Sequence, residues 1–291
     1  MSLLSSPAPR VPDDLLLGVQ RSLAEDIGSG DVTAQLVPAS QRMRARILAR
    51  EEAVVCGQPW VNAVFGQLDP TIQVDWEVAE GAAVRADQVL CTLQGPARAV
   101  LTGERTALNF LQTLSGTATA VRAFVRAIEG TGCRIADTRK TLPGLRNAQK
   151  YAVLFGGGIN HRIGLYDGIL IKENHIGAAG GIANAIANAR ALGCPVPLMT
   201  EAEDLNEARI AIEQDVDLLL IDDFTHEMIR EAVALVRAHR AAGGKTVLEY
   251  SGGASLSTVR AIAELGVDRI SVGAITKHLH AIDLSMRYVA D

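Results

Sequence analysis

The sequence predicts an α/β protein: an N-terminal helix and open α+β sandwich domain, followed by an incomplete α/β barrel of about six strands. Three observations carry this. From Cys133 onward, six short apolar runs (CRIADTRK, DGILIKENH, VPLMTEAE, DLLLIDDF, TVLEYSGG and RISVGA) each end in charged or glycine-bearing text. Helical text separates the later runs, and successive strands begin at the roughly 20–35-residue pitch of a βα unit. Apolar residues make up 48% of the chain but aromatics only 4%. The core is therefore built from Ala, Leu, Ile and Val, a composition suited to helices packed on a buried parallel sheet.

Residues 1–115 read as the first domain. Leu15, Leu16, Val19 and Leu23 recur at helical spacing, and the acidic, glycine-rich EDIGSGDVT follows. Between Met43 and Val100 the runs RARILARE and TIQVDWEV alternate, and VLCTLQG precedes RAVLTG, so all read as strand text; VNAVFGQL reads as one covering helix. A long helix is predicted from Gly103 to Glu129, with a break near Ser115-Gly116, joining the two domains. Residues 116–275 form the barrel domain, and 276–291 a C-terminal segment returning to the first. The interval LPGLRNAQKYAVLFGGGINHRIGLY does not fit the regular βα text. Six units fall short of the eight of a closed barrel, which makes the barrel incomplete; an open doubly wound sheet is the structural alternative.

Composition excludes several classes. A net charge of -5 argues against a general nucleic-acid or membrane-surface binder. No stretch approaches the ~20 apolar residues of a membrane span, and MSLLSSPAPRVPDD has neither a basic n-region nor a sustained apolar run, so no signal peptide is predicted. Cys56, Cys91, Cys133 and Cys194 are scattered, without metal-ligand spacing, and read as reduced thiols of a soluble cytoplasmic protein.

The chemistry is expected at the C-terminal ends of the barrel strands, where the βα loops converge. Between Asp137 and Ile176 lie Arg139, Lys140, Arg146, Lys150, Arg162 and Lys172, together with His161 and His175. In a net-negative chain this excess suggests a site for a multiply anionic small molecule, with Arg as a planar fork and Lys as a point charge. A solvated basic surface is the plainer reading; the placement of Arg139-Lys140 and Lys172 at strand ends, and of His161-Arg162 after three glycines, argues for function. Glu201 and Asp222 end neighbouring strands and suit a Mg²⁺ bridged to pyrophosphate oxygens; holding ribose hydroxyls or neutralising nearby lysines are the alternatives. Ser251-Gly252-Gly253 and Gly273-Ala274 end the last two strands and suit a phosphate cradle of backbone N–H groups. Arg105, in GERTALNFLQTLSG, is on physical grounds as readily a surface residue as a functional one. His226, His239, His278 and His280 have no ligand spacing, and no covalent nucleophile is evident.

These segments resemble the quinolinate phosphoribosyltransferase family. EDIGSGDVT, GERTALNFLQTLSGTAT, DTRKTLPGLRNAQKYAV, GGGINHRIGLYDGILIKENH, LLLIDDF, LEYSGG and RISVGAITKH match its landmarks in order, over nearly the whole chain. The resemblance implies a type II phosphoribosyltransferase fold and the conversion of quinolinate and phosphoribosyl pyrophosphate to nicotinate mononucleotide, pyrophosphate and CO₂, with Mg²⁺ and no organic cofactor. It implies a homodimer, or a hexamer built from it, with Arg105 donated across the interface to quinolinate. Thr138, Arg139, His161 and Arg162 would bind the substrates, the last three through the quinolinate carboxylates. Lys140 and Lys172 would contact the donor or the second carboxylate; Glu201 and Asp222 would hold ribose and Mg²⁺-pyrophosphate. Ser251, Gly252, Gly253, Gly273 and Ala274 would take the 5′-phosphate. Lys140, Lys172, Glu201 and Asp222 are the expected catalytic set. Met199, Asp223 and Lys277-His278 depart from the family pattern. The rivals are a related enzyme for another aromatic acid, a non-catalytic phosphate-ligand module, and a Schiff-base barrel enzyme using Lys172.

Overall fold

The computed structural model describes residues 3–5 and 8–290. In chain order the elements are α1 (Leu15–Ile27), β1 (Arg42–Ala49), β2 (Ala53–Val54), α2 (Gln58–Leu68), β3 (Gln73–Trp76), β4 (Ala83–Val84), β5 (Val89–Pro96), α3 (Ala97–Ala127), β6 (Arg134–Ala136) and α4 (Arg146–Gly156). Then follow β7 (Ile169–Ile171), α5 (Glu173–Ala179), α6 (Ile182–Ala191), β8 (Leu198–Ala202), α7 (Leu205–Glu213), β9 (Leu218–Ile221), α8 (His226–Ala241), β10 (Val247–Tyr250), α9 (Val259–Glu264), β11 (Arg269–Ser271), α10 (Ala274–Lys277) and β12 (Leu284–Val289). They form two compact units. The sandwich unit gathers Ala8–Arg122, Leu142–Gly157 and the segment from Thr276; the barrel unit gathers Ala123–Thr141 and Gly158–Ile275 with Leu3–Ser5. No helix among the described residues is long and apolar enough to cross a membrane.

The sandwich unit is built on an antiparallel sheet of order β12-β1-β5-β3. Along β1, Ala45, Ile47 and Ala49 are buried on one face, the alternation of a half-buried strand. α2 starts with a proline in its first turn, and its Trp60, Val61, Val64 and Phe65 are buried. They join Leu108, Leu111 and Leu114 of α3 and Tyr151 of α4 in one apolar cluster. Each such fully buried side chain contributes about 1.5–3 kcal/mol.

Two sequence expectations need correction here. RAVLTG is not a strand: β5 ends at Pro96, and the residues after it begin α3. Nor is α3 interrupted at Ser115-Gly116, which lie within one continuous helix. A Cβ at Gly116 would lie 2.2 Å from the His280 carbonyl oxygen, so the glycine admits a close backbone approach. Ser115 Oγ accepts from the Cys56 N–H at 2.9 Å.

The barrel unit is a six-stranded parallel sheet of order β6-β11-β10-β9-β8-β7. β6 and β7 are not paired, and an isolated bridge from Ala136 to Ile159 extends the sheet beside β6. The opening therefore falls at the interval whose text lacked the regular βα pattern. Helices α6, α7, α8 and α9 bury Ile186, Ile212, Val233 and Ile262 among others. β9 is buried on both faces, which is why it reads as the unbroken LLLI. This is the incomplete α/β barrel that the sequence predicts.

Candidate active site

Side chains on a strand alternate between faces, so one parity of each strand points into the barrel. That parity is Leu170 and Lys172 at β7, Met199 and Glu201 on β8, and Leu218, Leu220 and Asp222 at β9. On the last two strands it is Val247, Glu249 and Ser251 at β10, then Arg269 and Ser271 on β11. Met199, Leu218 and Leu220 form an apolar cluster with Leu170 and Val247 packed on it. Beyond them the same parity turns polar, and a cavity of about 540 Å³ opens. Thr138, Arg139, Lys140, His161, Arg162, Lys172, Glu201, Asp222, Ser251, Gly252 and Gly253 all line it. The parallel direction of the strands is what brings residues 138–253 to one rim.

The expected cation cluster is corrected by this geometry. Arg139, Lys140, Arg162 and Lys172 share the cavity. Arg146 and Lys150 lie on α4, in the sandwich unit, and Lys150 is 2% exposed. Asp137 and Asp167, the acids that lie among these cations in the sequence, build the loops. Asp137 is fully buried, accepting from Asn160 Nδ2 at 2.6 Å and the His161 N–H at 2.8 Å. Asp167 accepts the Ile163 and Gly164 N–H groups at 2.8 and 2.9 Å. These bonds present His161 and Arg162 to the cavity. His175 also stays local, its Nδ1 accepting from the Lys172 N–H at 3.0 Å.

Burial holds the Arg162 guanidinium below its ordinary value, and the charge of Arg139 adds to this. Arg139 Nε is buried and has no hydrogen-bond partner among the described residues. Two adjacent guanidiniums, one with a buried orphan donor, are complementary to carboxylate or phosphate. Across the cavity, Lys172 Nζ pairs with Glu201 Oε2 at 2.9 Å. Burial raises the Asp222 carboxyl, reinforced by the charges of Glu201 and Asp223. Glu201 and Asp222 are of the kind that a hard divalent cation takes one or two at a time, beside substrate phosphates. No group of three or more His, Cys, Asp or Glu side chains converges as a metal cage among the described residues, so such an ion would complete its shell with water and substrate oxygens.

The glycine stretch is shaped for a close approach. Gly253 has φ 65°, in the left-handed region. A Cβ at Gly252 would meet Tyr250 Oη at 2.4 Å, and that hydroxyl donates to the Gly252 carbonyl at 2.8 Å. Asp223 also has a left-handed φ of 52°, a conformation that Asn and Asp tolerate best among side-chain-bearing residues, so an Asp fits the backbone there.

The remaining expected residues sit apart from this lining. Gly273 lies beside it, where a Cβ would come 3.0 Å from Lys140 Cδ; Ala274 opens α10. Arg105 is an exposed residue of α3 in the sandwich unit. Met199 is buried in the apolar cluster, away from the charged rim. Sequence reasoning missed Glu249 and Ser271, which line the cavity, and Arg269 beneath them. The available signal was parity: a charged residue at an inward position inside an apolar run, as in VLEYS and DRISV.

Two family models match the chain: quinolinate phosphoribosyl transferase, N-terminal domain, over residues 31–115, and C-terminal domain, over residues 117–287. A probable nicotinate-nucleotide pyrophosphorylase (carboxylating) of Synechocystis is 39% identical over 292 residues, covering 99% of this chain and 98% of that protein. A Bacillus subtilis protein of the same name is 41% identical over 263 residues, covering 90% and 89%. The solved nicotinate-nucleotide pyrophosphorylase of Francisella tularensis is 45% identical and superposes with a TM-score of 0.91, covering 98% of this chain and all of that one. Matched in sequence and fold along nearly its whole length, the chain belongs to the quinolinate phosphoribosyltransferase family.

Proposed function

We propose that the enzyme transfers the phosphoribosyl group of phosphoribosyl pyrophosphate to quinolinate, with decarboxylation, giving nicotinate mononucleotide, pyrophosphate and CO₂ in NAD biosynthesis. The observation that carries this is the single cavity in which Arg139, Lys140, Arg162 and Lys172 face Glu201 and Asp222, with Ser251-Gly252-Gly253 at its edge. Two anionic reactants need such a divided site.

In this reading Arg139, His161 and Arg162 hold the two quinolinate carboxylates, and the buried Arg139 Nε–H gains the acceptor it lacks. Thr138, whose Oγ1 accepts the Lys140 N–H at 3.0 Å, fixes the turn that carries both cations. The amides of Ser251, Gly252 and Gly253, with Gly273 and Ala274, receive the 5′-phosphate. Glu201 and Asp222 orient the ribose hydroxyls and would hold Mg²⁺, which supplies charge neutralisation of the pyrophosphate when bound.

The ring nitrogen of quinolinate attacks ribose C1 as the C1–O bond to pyrophosphate breaks, through an oxocarbenium-like transition state. Lys140 and Lys172 stabilise the departing negative charge. Positioning and electrostatics suffice, and no protein nucleophile is required. The product nitrogen is cationic, so the electron pair released when the 2-carboxylate leaves as CO₂ is stabilised at C2 and takes up a proton. The second carboxylate separates quinolinate from nicotinate, and the paired guanidiniums favour the dianion. The same reading gives a homodimer, or a hexamer built from it, with Arg105 completing the neighbouring site. It also gives a cytoplasmic setting, supported by the free thiols.

Incubation with quinolinate, phosphoribosyl pyrophosphate and Mg²⁺ should release nicotinate mononucleotide and CO₂ in equal amounts. Equal or better turnover with nicotinate would transfer the reading to a monocarboxylate enzyme.

A further inference from the structure

Beneath the rim, the barrel interior holds an ion pair that the proposed chemistry does not use. Glu249 and Arg269 are 0% and 1% exposed, and they face each other in the register of β10 and β11. Arg269 Nε lies 2.5 Å from Glu249 Oε2. This is an ion-pair contact whose angle is not that of a hydrogen bond, since neither Glu249 oxygen nor Arg269 Nε has a hydrogen-bond partner among the described residues. Arg269 is held from its other end, where Nη1 donates to the Leu3 carbonyl at 2.6 Å.

The remaining Glu249 oxygen, Oε1, faces His161 Nε2 at 3.8 Å, and both residues line the cavity. His161 Nδ1 accepts the Arg162 N–H at 2.8 Å. An Nδ1 that accepts cannot carry the proton, so in the neutral ring the proton belongs on Nε2, directed toward Glu249 and the cavity. A lone carboxylate buried below an anion-binding cavity would be costly and would repel the substrate; Arg269 cancels its charge. A buried ion pair is weak evidence for stability, because an apolar pair of similar volume is often as stable. The arrangement therefore points to geometry.

We infer that Glu249 and Arg269 are positioning residues for His161: Arg269 fixes the Glu249 carboxylate, whose charge beside Nε2 holds the plane of the ring at the cavity wall, while the Arg162 N–H sets its tautomer. The inference rests on the reading of the site given above. Arg139 and Arg162 bind by charge over a range of angles, whereas a neutral imidazole donates along one line, so its orientation has to be set by something beneath it.

The paired variant Glu249→Leu/Arg269→Met removes both charges together and should retain a thermal transition near that of the wild type. Its KM for quinolinate should rise roughly 10–100-fold, the range for partners that orient a functional histidine, with the KM for phosphoribosyl pyrophosphate near its wild-type value. Nitrogen-15 NMR of the His161 ring should show one Nε2–H tautomer in the wild type, with the Nε2 resonance displaced in the variant once the Glu249 charge beside it is gone. If the paired variant fails to fold, Glu249→Asp keeps the charge, withdraws it by one methylene, and should show the same split between the two KM values. An unchanged quinolinate KM overturns the inference; so does a parallel rise in both KM values, or an Nδ1–H ring in the wild type. Absence of nicotinate mononucleotide from the wild type would sink the functional reading instead. The ring measurement needs no substrate and still decides the positioning claim.

Discussion

Lys140 leaves β6 with its aliphatic stem against Gly273, where a Cβ would come within 3.0 Å of Lys140 Cδ. Its ammonium is thus presented into the cavity from a backbone fixed by Thr138. Lys140 is exposed, so Lys140→Ala should unfold near the wild-type temperature while kcat falls about 10²–10³-fold, the usual effect of deleting one electrostatic donor. Wild-type turnover in the folded variant would remove Lys140 from the mechanism. At this scale the sequence was partly legible. A charged residue ending an apolar run marks a strand terminus, which identified Arg139, Lys140, Lys172, Glu201 and Asp222. Arg146 and Lys150 belong to the same basic stretch but end no strand, and they lie on α4 in the sandwich unit. Strand-end placement, not the density of basic residues, was the signal that held.

Two elements hold features whose disruption should be measurable. In α3, Gly116 faces the His280 carbonyl, where a Cβ would sit at 2.2 Å from the oxygen, a backbone atom that cannot swing aside. Gly116→Ala should therefore destabilise by about 1–3 kcal/mol despite alanine's better helix propensity, seen as a lower denaturant midpoint. A midpoint above the wild type would show that the two backbones part without cost. Between α7 and β9, Asp215 has a left-handed φ of 46°. Its Oδ1 accepts from the Lys245 N–H and meets His239 Nε2, both at 2.8 Å. The Lys245 amide chiefly holds its carboxyl below the ordinary 3.8 against the opposing effect of burial, and His239 adds to the lowering. A carboxyl depressed in the folded state contributes stability that is fully present above its unfolded value near 3.8 and is lost as pH falls through the folded value. Asn tolerates the same backbone conformation. Asp215→Asn should thus flatten the stability profile below about pH 4, as followed by thermal unfolding between pH 2 and 7; an unchanged acid slope would show that this charge does not couple to folding.

Across the whole molecule the two units interleave along the chain, with 142–157 and the segment from Thr276 belonging to the sandwich unit on either side of barrel sequence. Arg105 belongs to that sandwich unit and is not among the residues that line the cavity. If it serves a neighbouring subunit, mixing Arg105→Ala with Lys140→Ala, each strongly impaired alone, should restore part of the wild-type rate through hybrids carrying one intact site. No recovery after subunit exchange would sink the shared-site reading. The sequence by itself determined the six barrel strands and the polar character of their C-terminal ends, because an apolar run and the residues that close it are local properties of the text. Only the tertiary structure decided which cations share a cavity, that β12 pairs with β1, and that Glu249, paired with Arg269, faces His161. Those outcomes are contacts between residues far apart in the chain, set by how strands align and which faces pack together, and no short window of sequence records them.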